Sequence, residues 1–182
     1  MPTTTSTRSP TPPPLSPRQN PWRVDQLLAL AGSHELAELT RYRRLAFSFL
    51  TFNTAISRLL AGLGIECETR LKKLAHIAQR LELLYPLSSS ERYYAKLHAK
   101  LRQKEAAPCH FIGSEDMAID ALTQALMDAE ASRCFYEQLR EASPASLHFL
   151  LAAIVQQKQA ELGVLSERLT SGEGLTQPAA LC

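Results

Sequence analysis

The sequence is poor in the residues that break a chain into strands and turns. It has only 7 glycines in 182 residues, and seven of its 11 prolines fall within the first 21 residues. A β-protein needs Gly and Pro at frequent turns, whereas long helices exclude both from their interiors. Residues 22–182 are therefore expected to be mostly helical.

Three further shortages exclude broad classes of protein. The four cysteines form no CxxC pair, which predicts reduced thiols and a cytoplasmic protein rather than a zinc site or a disulfide framework. No apolar run is long enough for a membrane span, and the N-terminus lacks the layout of a signal peptide. Lys+Arg number 20 against 18 Asp+Glu, a net charge of +2, so we expect no specific nucleic-acid binding.

Composition divides the chain into four parts. Residues 1–20 are rich in Pro, Ser and Thr and are expected to be a disordered tail. Residues 21–32 predict a short N-terminal helix that starts at Asn20-Pro21 and ends at Gly32. Residues 33–170 predict one helical bundle, and residues 171–182 a flexible C-terminal tail.

Within the bundle, apolar residues recur at helical spacing in four long segments. Helices are predicted from Ser33 to about Leu50, from Thr54 to Tyr85, from Ser114 to Glu141, and from Ser143 to about Leu169. Pro86 and a capping pattern at residues 88–91 predict a short crossover helix to about residue 104. Two long helix pairs with tight turns, joined by a longer crossover, predict an all-α, antiparallel four-helix bundle.

Two glutamates of the first helix pair are predicted to lie at a similar distance from the turn that joins the two helices. With a turn near residue 51, Glu35 lies roughly 25 Å along one helix and Glu66 roughly 21 Å along its antiparallel partner. The pattern Glu35-x-x-Glu38-x-x-x-Tyr42-x-x-x-Ala46, followed by Leu59-x-x-x-Leu63-x-x-Glu66, resembles the first half of the ferritin-like superfamily, in particular rubrerythrin-like proteins. The segments around Glu130 and Gln156 carry a similar pattern in the second half of the chain.

The resemblance implies a di-iron site with carboxylate and Glu-x-x-His ligands. The chain has no Glu-x-x-His: Thr69 stands at the first expected His, Gln156 and Gln159 at the second pair, and Glu130 is one residue out of register, which leaves Ala129 at the ligand position. Glu35, Glu66 and Glu130 are the candidate metal ligands. Three carboxylates without imidazole under-ligate a di-iron centre, so bound iron is one possibility and no cofactor is the expected state.

A metal-free core is the alternative for these acids. Arg70 lies one turn after Glu66, and Lys158 lies near the predicted level of Glu130. Such cations can neutralise acids that a lost metal site leaves behind. The sequence thus leaves two functions open. One is a non-catalytic binding or structural protein with an eroded or absent metal site; the other is a non-haem di-iron oxidase or peroxide-handling enzyme.

Partner surfaces can be predicted at two places. Helix faces of the bundle predict a homodimer. The crossover helix carries a basic edge that is either a solvated face or a docking edge for an anionic partner. The residues of this edge are Arg92, Lys96, Lys100 and Lys104.

Overall fold

The computed structural model describes residues 23–84 and 110–171. These residues form four helices: α1 (Val24–Ser48), α2 (Thr54–Leu84), α3 (Glu115–Glu141) and α4 (Ala145–Thr170). The described ranges contain no strand. The expected all-α fold with two long helix pairs is confirmed. The predicted crossover helix, its basic edge, and residues 1–20 and 172–182 lie outside the described residues.

Helix α1 is continuous where the sequence predicted a break. Gly32 is buried within the helix, and the Ser33 hydroxyl donates to the Leu30 carbonyl at 2.8 Å instead of capping a new helix. Leu28 and Ala31 are buried on the stripe that continues into Glu35. This packing offsets the cost of an interior glycine, about 1 kcal/mol. The part of the predicted separate helix 21–32 that the structure describes therefore belongs to α1, from Val24 onward.

Side chains at the tight turns explain where the helices begin. Asn53 Oδ1 accepts hydrogen bonds from the backbone N–H groups of Ala55 and Ile56, at 3.0 and 3.1 Å, and so caps α2. The Ser57 hydroxyl donates to the Ala46 carbonyl at 2.7 Å and ties α2 to α1. Ser114 accepts from Met117 N at 3.3 Å and caps α3, as predicted.

Cross-helix contacts fix the directions of the helices. His34 contacts Ser132 and Arg41 contacts Asp128, so α1 and α3 are antiparallel. Beyond the gap at residues 85–109 the chain resumes beside the end of α1, where Ile112 N donates to the Ser48 carbonyl at 3.0 Å. The described end of α2 and the start of α3 therefore lie at opposite ends of the bundle. No described helix is long and apolar enough to cross a membrane.

The core consists of two apolar clusters at opposite ends of the bundle. The first lies toward the α1–α2 turn and the second toward the α3–α4 turn. The first contains Leu36, Leu39, Tyr42, Ala46, Phe49, Ile56, Leu60, Leu63, Cys67, Ala118, Leu122, Ala129, Leu162 and Leu165. The second contains Leu27, Leu28, Ala31, Leu74, Tyr136, Leu139, Leu147, Leu151 and Ile154. Buried charged side chains lie between the two clusters.

Candidate functional site

The three predicted ligands are not brought together. Glu35 is 0 % exposed in the bundle interior. Glu66 and Glu130 are exposed on α2 and α3. Arg133 Nη2 and Nε hydrogen-bond both oxygens of Glu130 at 2.6 and 3.0 Å, and these bonds hold the pKa of Glu130 below its usual value.

The positions that the resemblance assigned to missing ligands are not interior polar sites either. Thr69, Gln156 and Gln159 are exposed, and Ala129 is buried in the first apolar cluster. Within residues 23–84 and 110–171, no group of three or more His, Cys, Asp or Glu side chains is placed so that it could hold a metal ion.

Glu35 and four further charged side chains form what we call the charged layer. Glu35 and Glu38 come from α1, Arg70 from α2, and Lys158 and Glu161 from α4. Each is 4 % exposed or less. Charged residues are almost never this buried unless they are paired, so the contacts within the layer decide its role.

Arg70 connects α2 to α1 and α4, the other two helices that contribute to the charged layer. Its Nε donates to Glu35 Oε2 at 2.9 Å, and its Nη2 lies 2.7 Å from Glu161 Oε1. Nη2 also lies 3.2 Å from the Cys67 sulfur. Burial alone would lower the pKa of Arg70, but the charges of Glu35 and Glu161 outweigh burial and raise it. The guanidinium is therefore permanently charged.

Lys158 lies among all three glutamates. Its Nζ is 2.8 Å from Glu38 Oε2, 3.2 Å from Glu161 Oε2 and 3.6 Å from Glu35 Oε1. Burial opposes the charge on this ammonium, yet the three carboxylates raise its pKa above the usual lysine value. Lys158 is therefore protonated and occupies the space between the carboxylates.

Arg41 lies at the edge of the layer and pairs with Glu38. Its side chain is 26 % exposed; Nη2 lies 2.6 Å from Glu38 Oε1 and Nη1 3.1 Å from Asp128 Oδ2. Burial would raise the pKa of Glu38, but the positive charges of Lys158 and Arg41 outweigh it and lower that pKa. Arg41 is thus a third cation in contact with the layer, and it is shared between Glu38 and Asp128.

Some polar atoms of the layer interact through charge rather than through aligned hydrogen bonds. Glu35 Oε1 and Glu161 Oε1 make no hydrogen bond within the described chain, although cations lie 3.6 and 2.7 Å away. Arg70 Nη1 is a third buried atom without a hydrogen bond there. Directional bonding is therefore incomplete, and the ionic contacts carry the stabilisation that this burial requires.

The neighbouring hydroxyls and thiol are held in their neutral forms. The Tyr42 hydroxyl donates to Glu161 Oε2 at 3.5 Å, and that of Tyr136 donates to the Ala31 carbonyl at 3.3 Å. Burial, with the nearby carboxylates, raises the pKa of both tyrosines, and burial raises that of Cys67 to about 12. None of the three is a ready base or nucleophile at neutral pH.

His34 borders the layer as a packed, neutral ring. Its Nε2 lies 2.8 Å from the Ser132 hydroxyl, and it stacks on Phe135 with 4.2 Å between ring centroids. Burial lowers the pKa of His34 despite the nearby Glu38 and Glu35. The ring therefore links α1 to α3 and is not directed at an open ligand position.

Sequence reasoning found both interior cations but not all of their partners. Arg70 and Lys158 are buried and paired, as the metal-free alternative expected, but with Glu35, Glu38 and Glu161 instead of Glu66 and Glu130. Glu161 is absent from the predicted site. Its signal is present in the sequence, because Lys158 and Glu161 interrupt the apolar stripe of Ile154, Leu162 and Leu165.

The carboxylates of the charged layer do not fit a di-metal site, because each is already held by an ammonium or a guanidinium. Comparisons of the chain with protein-family models, with curated proteins and with solved structures find no match.

Proposed function

We propose that this protein is a non-catalytic, ferritin-like helical bundle in which buried ion pairs replace a di-metal centre. It acts as a structural or binding protein. The observation that carries the proposal is the position of the Lys158 ammonium, within 3.6 Å of three buried carboxylates. A cation that belongs to the chain supplies the positive charge that a metal would otherwise bring.

The spacing of the layer supports this proposal. Di-metal bundles place ligand pairs at i and i+3 on two of their helices. Here Cys67 and Arg70 on α2, and Lys158 and Glu161 on α4, have the same spacing and face the interior. In each pair one position carries a fixed positive charge. The pairs therefore suit a ferritin-like interior in which Arg70 and Lys158, instead of metal ions, neutralise the buried carboxylates.

A structural role fits the energetics of buried ion pairs. Such pairs seldom add net stability over apolar residues of similar size, because desolvation consumes most of their attraction. Their value is specificity, since an unpaired buried charge is strongly unfavourable. Arg70 and Lys158 link α1, α2 and α4 in one register. The layer thus selects one arrangement of the helices.

The proposal includes a homodimer that forms through helix faces and a cytoplasmic location. Cys67 and Cys134 are free thiols in the described part of the chain, which agrees with a reducing compartment. The di-iron oxidase or peroxidase function is the outcome that the following experiment would support instead.

Thermal unfolding with added metal tests the proposal. The chain is heated in the presence of excess Fe²⁺ without oxygen, of Mn²⁺, or of EDTA. A metal at 100 times its Kd would stabilise the native state by about 2.7 kcal/mol, or a Tm rise of roughly 5–11 °C. We expect Tm changes below about 1 °C and no peroxide consumption.

The matched variant for this experiment is Glu35→Gln, which removes one interior carboxylate. A metal-dependent rise in Tm of the unmodified chain that disappears in Glu35→Gln would contradict the proposal. A rise that persists in this variant would indicate a surface metal site outside the charged layer.

A further inference from the structure

The outward face of α4 differs from the other exposed surfaces of the bundle. Between Ala145 and Ser166 the only Asp, Glu, Lys or Arg residues are Lys158 and Glu161, and both are buried in the charged layer. Five of the exposed residues lie along one line of the helix and form a stripe that we call the α4 outer face. They are Phe149, Ala153, Gln156, Ala160 and Gly163.

The exposed faces of the neighbouring helices carry charge as solvated helices do. On α2, Arg58, Lys72, Lys73 and Arg80 are exposed, and α3 exposes acids. A helix face in water is normally rich in charged side chains, whereas the buried centre of a protein interface is depleted of them. The composition of the α4 outer face is therefore that of an interface.

Phe149 and Gly163 give independent support. The Phe149 side chain is 89 % exposed, the most exposed of the large apolar residues in the described chain. A Cβ added at Gly163 would meet no atom within 4 Å, so internal packing does not require this glycine. Glycine in a helix interior costs about 1 kcal/mol relative to alanine. The close approach of another helix would explain both the exposed Phe149 side chain and the glycine at position 163.

We infer that the α4 outer face binds the same face of a second copy of this chain, with the two α4 helices antiparallel. The stripe repeats at alternating steps of four and three residues, the spacing of a helix that packs along another helix. A two-fold interface must be complementary to itself, and an uncharged face meets its own copy without repulsion. Small side chains at Ala153, Ala160 and Gly163 permit close packing.

Antiparallel pairing gives a consistent register. Ala153 lies opposite the partner's Gly163, and Gln156 lies opposite the partner's Ala160. The glutamine amide can both donate and accept hydrogen bonds across the two-fold axis. The Phe149 rings lie at the two ends of the contact.

The size of the face indicates a dimer of modest affinity. In this antiparallel register the contact runs from Phe149 to Glu167, so that each Phe149 lies opposite the partner's Glu167. The contact is about 27 Å long, and with the edges of the adjacent helices it is about 20 Å wide, so that the two copies bury roughly 1,100 Å² in total. This area is close to the lower limit of about 1,000 Å² for specific interfaces. The dimer should therefore dissociate on dilution. The inference rests on the homodimer in the proposed function and not on the absence of metal.

Light scattering coupled to size exclusion tests the inference on the full chain. The unmodified chain, at concentrations from about 1 to 200 μM, should shift from a monomer mass of 20.2 kDa toward twice that mass. Phe149→Glu with Ala160→Glu should be monomeric throughout, because it places like charges in a self-paired face. Met127→Glu, at an apolar residue of α3 that is 62 % exposed, is the matched control and should still dimerise.

Gly163→Gln is a second variant that does not depend on introduced charge. It should raise the thermal stability of the monomer, because glutamine favours helix more than glycine, while it weakens dimerisation at least tenfold. A monomer at every concentration would overturn the inference, and so would a dimer that survives both sets of substitutions. A monomer in which Phe149→Glu lowers Tm would overturn the inference in favour of a contact between the α4 outer face and another part of the same chain. None of these outcomes changes metal binding, so the proposed function is tested separately.

Discussion

Arg70→Met is the substitution that most strongly perturbs the charged layer. Methionine fills much of the volume of arginine but removes the charge next to Glu35 and Glu161, 2.9 and 2.7 Å away. Arg70 is 1 % exposed, so water cannot replace the lost contacts. Removal of one partner from a buried ion pair costs about 3–5 kcal/mol. For a chain of this size that loss corresponds to a Tm decrease of roughly 6–20 °C.

The assay is urea unfolding at pH 7, followed by circular dichroism, together with a thermal scan. Arg43→Met is the matched control, because Arg43 is 59 % exposed and pairs with Glu68 at 3.3 Å on the surface. A surface pair of this kind contributes about 0–1 kcal/mol. If Arg70→Met destabilises the protein no more than Arg43→Met does, the ion pairs of the layer are not structural.

A double-mutant cycle isolates the pair itself. Glu35→Gln alone leaves Arg70 short of one negative partner, whereas Glu35→Gln with Arg70→Met removes both charges. We expect the double variant to lose less stability than the sum of the two single losses, by about 0.5–3 kcal/mol. Additive losses would mean that Glu35 and Arg70 do not interact energetically.

Three further predictions concern other parts of the chain. The pKa of Glu38 is lower in the folded protein than its ordinary value of 4.5, so this residue contributes stability above about pH 4.5 that is lost as the pH falls through the folded pKa. Glu38→Gln should reduce the decrease in the free energy of unfolding between pH 7 and pH 3, measured by unfolding curves. An unchanged pH dependence of the free energy of unfolding would exclude this role. Gly62→Ala should raise Tm by about 2–4 °C, because an added Cβ meets nothing within 4 Å and alanine favours helix. A fall in Tm would show that Gly62 is needed for packing. Lys96→Glu with Lys100→Glu should abolish any salt-sensitive association with an anionic partner, and an association that is indifferent to salt and to these substitutions would refute the basic docking edge.

Most of the fold could be predicted from the sequence because helix signals are local. Asn53 and Ser114 cap α2 and α3 where the sequence places turns, and the apolar stripes lie in the core. The break at Gly32 was predicted wrongly, since Gly-Ser favours a helix boundary locally. Burial of Leu28 and Ala31 on one continuous stripe outweighs that preference.

The charged layer was only partly predictable. Arg70 and Lys158 could be selected as neutralising cations, but an interior position for Glu66 follows only from its level along the helix and from the ferritin-like pattern. The level of a residue along a helix does not determine which side of the helix it lies on. In α2, Cys67 and Arg70 face the interior, whereas Glu66 faces outward. Pairing between α1 and α4 also depends on how the two helix pairs dock, which no local pattern encodes.

Elemental analysis of the purified chain, expressed in iron-supplemented medium, tests the central claim most directly. If Arg70 and Lys158 neutralise the interior glutamates, the protein contains less than about 0.1 iron per chain and its stability does not depend on chelators. Two irons per chain that disappear in Glu35→Ala would contradict the claim and favour a di-iron enzyme.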